Sequence, residues 1–321
     1  MATRVIDDTK LQNIAVAIQG KDSGGVMTVD EMPTRIAAIP TGDEVLFTSD
    51  GRQYTRTVEI PNNVTTIGDY AFQNCTGLTG ITLPDSLTTI QQNAFENCTG
   101  LTGITFPDSL TTIKQSAFKG CTGLTNITFP DSLTTISYGT FKGCAGLTEI
   151  DLNNVTALLN YSNFERCESL RKIIGKKVVT GISDSCFYFC VSLTTAIFPV
   201  ATTVGKNTFL AAYALENVDC RNVDRIVQGS FGGCSRLSLI DLTSRITPTT
   251  LDNANAFDKT NNTWIAVVAN DTIKSDFQNA TNWSTFASHF RTIAEVEAEV
   301  GMTYDEYYYQ LFGEPRNEVA A

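Results

Sequence analysis

From Val58 onward the chain repeats itself every 23 residues, and this period constrains the fold more than any other feature. Aligned on a Phe-x-x-Cys step, units begin at Val58, Ile81, Ile104, Ile127, Ile150 and Ile173. Two units from Ala196 and Val218 are one residue shorter, and a degenerate unit runs from Ile240. Self-similarity at such a period marks a solenoid: one unit is too small to bury its own apolar face, and stacked neighbours supply a shared core. A compact chain of 321 residues would imply about two domains, but an array that grows along one axis escapes that count.

The spacing within one unit predicts its path. Ile81 and Leu83 alternate with Thr82, so the apolar pair faces inward and Thr82 outward. Pro84 has no N–H for a ladder bond and ends the strand. Asp85 and Ser86 form a turn, and Leu87 and Ile90 return to the core. Ala94, Phe95 and Cys98, at i, i+1 and i+4, predict a short helical turn on the outer wall. Thr99 and Gly100 then lead back to Leu101, where the cycle restarts. Leu78, Ile81 and Leu83 spell L-x-x-I-x-L, the strand step of a leucine-rich repeat. Strands stacked about 4.8 Å apart over eight or nine coils give a parallel sheet about 40 Å long.

The unit "VEIPNNVTTIGDYAFQNCTGLTG" (Val58 to Gly80) resembles the BspA-type leucine-rich repeat family, and the resemblance extends over residues 58–263. It implies an α/β repeat solenoid, a leucine-rich-repeat horseshoe of about eight to nine coils of 22–23 residues. The coils share a parallel β-sheet, and small helical additions flank them at both ends. It also implies binding and adhesion with varied targets rather than catalysis.

Cys75, Cys98, Cys121, Cys144, Cys167, Cys190 and Cys234 share one repeat position, which Ala212 fills in a short unit. A nucleophile would need one thiol set apart by a neighbouring base. A metal site would need clustered pairs such as C-x-x-C with His. The ladder offers neither, and Ala212 fits a small buried hydrophobe. Chance disulfides are the lesser alternative, and Cys186 and Cys220 read as local gap-fillers. The single histidine, His289, reads as structural. No paired general acid and base, P-loop or G-x-G-x-x-G is present. The expectation is a non-enzymatic protein with no cofactor and no metal.

The outward strand positions form the candidate ligand face. Thr79, Gly80, Thr82, Thr102, Gly103, Thr105, Thr125, Asn126 and Thr128 make a hydroxyl-rich strip, continued by Thr148, Glu149 and Asp151. Arg171, Lys172, Thr194, Thr195, Glu216, Asn217 and Asp219 take the equivalent places further on. Thr82, Thr105, Thr128, Asp151, Arg171, Lys172, Thr194, Thr195, Glu216 and Asp219 are the candidate contacts for a host-surface protein or glycan. The bland alternative is that threonine favours strands and tolerates water. Close copies suit a platform, so the irregular units from Ile150 to Leu239 are the better place for a specific contact. Tyr161, Tyr188 and Tyr213 there read as outer-wall packing.

The ends differ in composition. In residues 1–40, Leu11, Ile14, Ala15 and Ile18 share one helix face, the stretch Gly20 to Gly25 breaks it, and Thr28 with Glu31 forms a capping box before Met32, Ile36 and Ile39. Residues 41–57 hold Asp50-Gly51 between two strand-like runs, a hairpin that caps the first coil. The stretch Thr263 to Asp271 reads as the last strand, and residues 264–290 as a closing cap with Trp264 and Trp283. In residues 291–321, Thr303 and Glu306 make a capping box, and Tyr304, Tyr307, Tyr308, Leu311 and Phe312 share one helix face. That face should dock on the cap or on a partner chain. Leu11, Ile14, Ile18, Met32, Ile36, Tyr304, Tyr308 and Leu311 are therefore candidate assembly contacts.

The segment from Leu11 to Ile39 resembles the leader of tail-appendage and fibre-like proteins of bacteriophages and prophages. It implies attachment to other virion proteins, with the repeats reaching the host surface. The start "MATRVIDDTK" lacks the pattern of a secretory signal, which suits a virion protein made in the host cytoplasm. No apolar stretch approaches the ~18 residues of a membrane span. A net charge of −11 without a Lys/Arg cluster speaks against nucleic acid. The alternatives are a bacterial cell-surface BspA-like adhesin and an intracellular scaffold. A homo-oligomer stays open, though no coiled-coil heptads support one.

Overall fold

The computed structural model describes residues 56–316. Each coil makes a strand, a second short strand and a wall of turns, and each wall stacks on its own copy in the next coil. The first wall runs through Arg56–Glu59, Leu78–Thr82, Gly103–Thr105, Asn126–Thr128, Glu149–Asp151, Lys172–Ile174, Thr195–Ile197, Asn217–Asp219 and Leu239–Asp241. Every strand pairing is parallel, as Ile104 opposite Ile127 and Val218 opposite Ile240 illustrate. The second wall carries two-residue strands such as Thr66–Ile67, Thr89–Ile90 and Thr112–Ile113, with the Ile of each buried.

The first wall continues past the last recognisable repeat. Ile265–Val268 and Phe290–Thr292 extend the same seven-stranded sheet, giving about ten coils. The strand read as the last is therefore followed by one more. Arg56–Glu59, read as one arm of a hairpin, pairs in parallel with Leu78–Thr82 as the first coil's own strand. The hairpin turn and the amphipathic segments holding Leu11, Ile14, Ile18, Met32 and Ile36 lie outside the described residues.

The outer wall corrects the helical turn expected from Ala94, Phe95 and Cys98. Two left-handed residues four apart flank this step in coil after coil: Asn93 and Asn97 (φ 56° and 60°), Ser116 and Gly120 (55° and 74°), Gly139 and Gly143 (57° and 75°). Left-handed residues at that spacing break an α-helix. The backbone instead turns its N–H groups to the next coil, with Phe95 N donating to Ala117 O (2.7 Å) and Phe118 N to Thr140 O (2.9 Å).

Under this wall, Phe72, Phe95, Phe118, Phe141, Phe164, Phe187, Phe209, Phe231 and Phe257 form one stack. Neighbouring ring centroids are 5.1–5.7 Å apart and the planes within 17°. The cysteine ladder lies beside it. Cys98, Cys121, Cys144, Cys167, Cys190 and Cys234 are fully buried, and each thiol donates to the carbonyl of a phenylalanine in the preceding coil at 3.0–3.3 Å. None of the nine cysteines is in a disulfide. Burial pushes the Cys144 and Cys167 thiols well above their usual range and Cys186 up to about 12.

The far end carries a cluster of large aromatics. We label the helices α1 (Asp271–Asn279), α2 (Ile293–Val300) and α3 (Tyr304–Phe312). Trp264 stacks on Phe257 at 4.5 Å, and Trp283, fully buried, donates its Nε1–H to Thr249 O (2.6 Å). His289 stacks on Trp264 at 4.3 Å, with Nδ1 2.7 Å from the Trp264 carbonyl oxygen, so its role is packing.

Truncating one ring of the stack, Phe118→Ala, should cost about 3–5 kcal/mol, whereas the exposed Thr122→Ala should stay within about 0.5 kcal/mol; urea unfolding followed by circular dichroism measures both. In the native state a thiol-specific dye should label at most one cysteine, the half-buried Cys75, and the remainder should react only after denaturation.

Candidate functional site

Two rows of side chains point outward from the first wall. One runs Thr82, Thr105, Thr128, Asp151, Ile174, Ile197, Asp219, Asp241 and Val267; the other runs Gly80, Gly103, Asn126, Glu149, Lys172, Thr195, Asn217, Leu239 and Ile265. The rows are polar and open over the first five coils, then turn partly apolar and are covered.

The cover is the pair α2 and α3. Thr292 and Thr303 start these helices with complete capping boxes to Glu295 and Glu306, and Gly301 and Gly313 end them in the left-handed conformation. Val296, Tyr304, Tyr308 and Phe312 pack on Ile197, Leu239 and Val267 in a second apolar cluster, separate from the solenoid core. The aromatic face of α3 thus docks on the strand face of its own chain, beside the cap rather than on it. As an assembly surface it is unavailable: Tyr304 and Tyr308 are buried and Leu311 half-buried.

Charge is buried under this cover. The Tyr308 hydroxyl donates to Asp219 Oδ2 (2.7 Å), and Arg221 grips the same carboxylate through Nε (3.0 Å) and Nη2 (2.6 Å). Burial works against the Arg221 charge, but Asp219 more than offsets this and holds the guanidinium above its ordinary value. Arg316 donates from Nη2 to Thr243 Oγ1 (2.7 Å) and from Nη1 to Asp305 (3.0 Å), and its Nε lies 3.8 Å from Asp241 Oδ2. Burial first, and the neighbouring Asp219 charge second, raise the Asp241 carboxyl above its ordinary value. Arg221 and Arg316 lie over the rings of Tyr308 and Tyr304 at 5.1 and 5.0 Å.

The structure thus divides the candidate ligand residues. Thr82, Thr105, Thr128 and Asp151 are exposed on the open face, and Arg171 is exposed beside it. Thr194 is half-buried and donates to Arg171 O (3.0 Å). Lys172 is half-buried and paired with Glu314 (3.2 Å), and Glu216 pairs with Arg236. Thr195 and Asp219 must be dropped as open-face contacts: they are buried, 8% and 0% exposed, and Tyr308 of α3 lies on Asp219. Sequence reasoning missed the partners Arg221, Asp241, Thr243 and Arg316. The signal was there in the outward row, where Ile174, Ile197, Leu239 and Val267 replace the polar residues of earlier coils.

On the open half, Thr79, Gly80, Thr102, Gly103, Thr105, Asn126 and Thr128 line a shallow trough of about 420 Å³. Thr102 and Thr125 spend their hydroxyls on the carbonyls of Thr79 and Thr102 in the preceding coils (3.2 and 3.1 Å). Among the described residues, no group of three or more His, Cys, Asp or Glu could hold a metal ion, and no helix is long and apolar enough to cross a membrane.

Fold and face together define a repeat protein of the binding or structural class. Six copies of the BspA type leucine rich repeat region match residues 50–170 and 139–263, and the chain belongs to that family. Among solved structures, it is similar to the T. pallidum leucine rich repeat protein (27% identity, TM-score 0.42, covering 57% of this chain and 78% of that one). It is also similar to a leucine rich cell surface protein from Faecalibacterium prausnitzii (24% identity, TM-score 0.39, covering 63% and 62%) and to a leucine-rich repeat protein from Bacteroides ovatus (23% identity, TM-score 0.28, covering 74% and 83%). No curated protein matches the sequence.

A carboxyl raised in the folded state contributes stability that is full below the unfolded value of about 3.9 and is lost as pH rises through the folded value. Wild type should therefore lose stability relative to Asp241→Asn between about pH 4 and pH 7. Urea titrations at the two pH values check this; parallel behaviour of the two proteins would show an ordinary carboxyl.

Proposed function

We propose that the protein is a non-enzymatic binding protein that presents the open strand face of its first five coils to a protein or glycan on a cell surface. The observation that carries this reading is the division of one continuous face. Over the later coils the chain covers the outward rows with its own helices; over the early coils it leaves Thr82, Thr105, Thr128 and Asp151 exposed above the trough. The hydroxyls of Thr82, Thr105 and Thr128 are given no hydrogen-bond partner by the described part of the chain and are free to meet a ligand. The contacts are thus Thr82, Thr105, Thr128 and Asp151, with Arg171 at the margin.

Two settings are compatible with such a face. The resemblance of the Leu11 to Ile39 segment to phage leaders favours a tail appendage, attached to other virion proteins and directed at the host surface. Family membership, together with the cell-surface relative from Faecalibacterium prausnitzii, favours a bacterial surface adhesin. Mass spectrometry of purified virions, run beside surface labelling of intact uninfected cells, separates them: the chain should appear in only one.

The face itself is tested by filling the trough. A Cβ at Gly103 meets nothing within 4 Å, so Gly103→Tyr should fold normally and block the face. Fluorescently labelled Gly103→Tyr should bind target cells about tenfold or more weakly, a loss of about 1.4 kcal/mol, while Gln115→Tyr on the outer wall binds as wild type. Equal binding by all three proteins would overturn the reading.

A further inference from the structure

Resting on that reading of the open face, we infer that its partner is a basic polypeptide segment, whose lysine and arginine side chains meet acid rows that the chain itself leaves unpaired. Glu59, Asp85, Asp108, Asp131, Glu149 and Asp151 are all exposed on the strand face or on its turn edge in the first five coils. None of the six has a Lys or Arg partner among the described residues. The partners that Asp131 and Asp151 do have come from Asn153, a side-chain Nδ2–H (2.7 Å) and a backbone N–H (2.8 Å), neither of which neutralises charge.

Stacking makes this arrangement costly for the free protein. Asp85, Asp108 and Asp131 occupy one repeat position, so neighbours lie about one coil apart, roughly 4.8 Å along the backbone. That is well inside the screening length of about 8 Å at physiological salt. Elsewhere the same solenoid sets a base beside its stacked acids. At one stacked position on the outer wall, Glu96 pairs with Lys119 (2.7 Å) and Lys142 with Glu165 (2.9 Å), so each acid there meets a base from a neighbouring coil. Beyond the open face, Asp224 pairs with Arg245 and Asp252 with Arg225. Along the turn edge of the open face, Asp85, Asp108 and Asp131 stack with no base among them.

The covered half of the face shows what meets its acids. There Asp241 receives Arg316, delivered by the segment that follows α3, and that arginine also bonds Thr243 and lies over Tyr304. An arginine on a separate stretch of polypeptide, set near an outward-row carboxylate and bonded to a threonine in the turn after it, is the kind of contact that the acids and threonines of the open face could receive from a partner. Charge complementarity of this kind sets the choice of partner and speeds encounter. It favours a basic protein segment over a neutral glycan.

The experiment immobilises the full chain and measures binding of synthetic peptides of about twelve residues, with lysine, glutamate or glutamine alternating with serine. The lysine peptide should bind about tenfold or more tighter than the glutamine peptide and weaken about tenfold between about 50 and about 300 mM salt. The triple variant Asp85→Asn, Asp108→Asn, Asp131→Asn should lose the preference, and the triple variant with glutamate at the same positions should retain it. A control carrying Glu168→Gln, Asp258→Asn and Asp276→Asn, all exposed elsewhere, should bind as wild type. Unfolding midpoints are matched first, so that lost binding is not lost fold. The inference is overturned if the lysine peptide binds no better than the glutamine peptide, or if the triple asparagine variant keeps the preference. If in either case Gly103→Tyr still blocks cell binding, the face is a binding face for a different ligand.

Discussion

Everything in this molecule depends on one constraint: each position in a coil rests on its own copy in the next. Any side chain on a repeated position must be compatible with itself at a spacing of about 4.8 Å. Phenylalanine satisfies this by offset stacking. Cysteine satisfies it by sending its thiol to a backbone carbonyl of the preceding coil, which explains why Ala212 can replace it in volume but not in that bond. Threonine satisfies it through hydroxyl-to-carbonyl bonds at the strand edge. Charge satisfies it by pairing with an opposite charge in a neighbouring coil, as Glu96 does with Lys119 and Lys142 with Glu165 on the outer wall, or by finding a partner from outside the stack.

The same constraint leaves the ends unsatisfied, because the last coil has no copy to cover it. The chain answers with large aromatics: Trp264, Trp283, Phe277 and Phe290 replace the missing coil. It then doubles back, laying α2 and α3 over the outward rows of the later coils. That contact buries an Asp219–Arg221 pair whose members would each be expensive to strand alone, about 3–5 kcal/mol if one were removed. The helices are fixed in position as well as held, because Tyr308 donates to Asp219 (2.7 Å) and Arg221 donates to the Arg316 carbonyl (2.8 Å), and directional hydrogen bonds resist the sliding that an apolar cluster tolerates.

Much of this architecture was legible in local patterns. The period gave the solenoid, alternation gave the strand face, and Thr303 with Glu306 gave the start of α3. The equivalent box at Thr292 and Glu295 went unread, although its T-x-x-E pattern is the same. The outer wall misled because i, i+1, i+4 spacing suits a helical turn and a left-handed turn alike; the discriminating residues were Asn93, Asn97, Gly120 and Gly143. The burial of Thr195 and Asp219 was hidden for a different reason. Asp219's partner Tyr308 lies 89 residues away in sequence, and no local pattern announces such a contact. Only the change of outward residues from Thr128 to Ile174 and Ile197 hinted that something must cover them. Of the outward rows, the exposure of the early coils could be read directly and the burial of the late coils could not.

The early coils have a further consequence. Where neighbouring units are close copies, either interface of a coil looks alike to its neighbours, and a whole coil can be inserted or removed without creating a new junction. The distinctive register marks are elsewhere, in the cap and in the ion pairs beneath α3. Gain or loss of one 23-residue unit would lengthen or shorten the open face by about 4.8 Å and leave the closed end untouched. The array is in this sense an adjustable ruler, whose length can change independently of the machinery that terminates it.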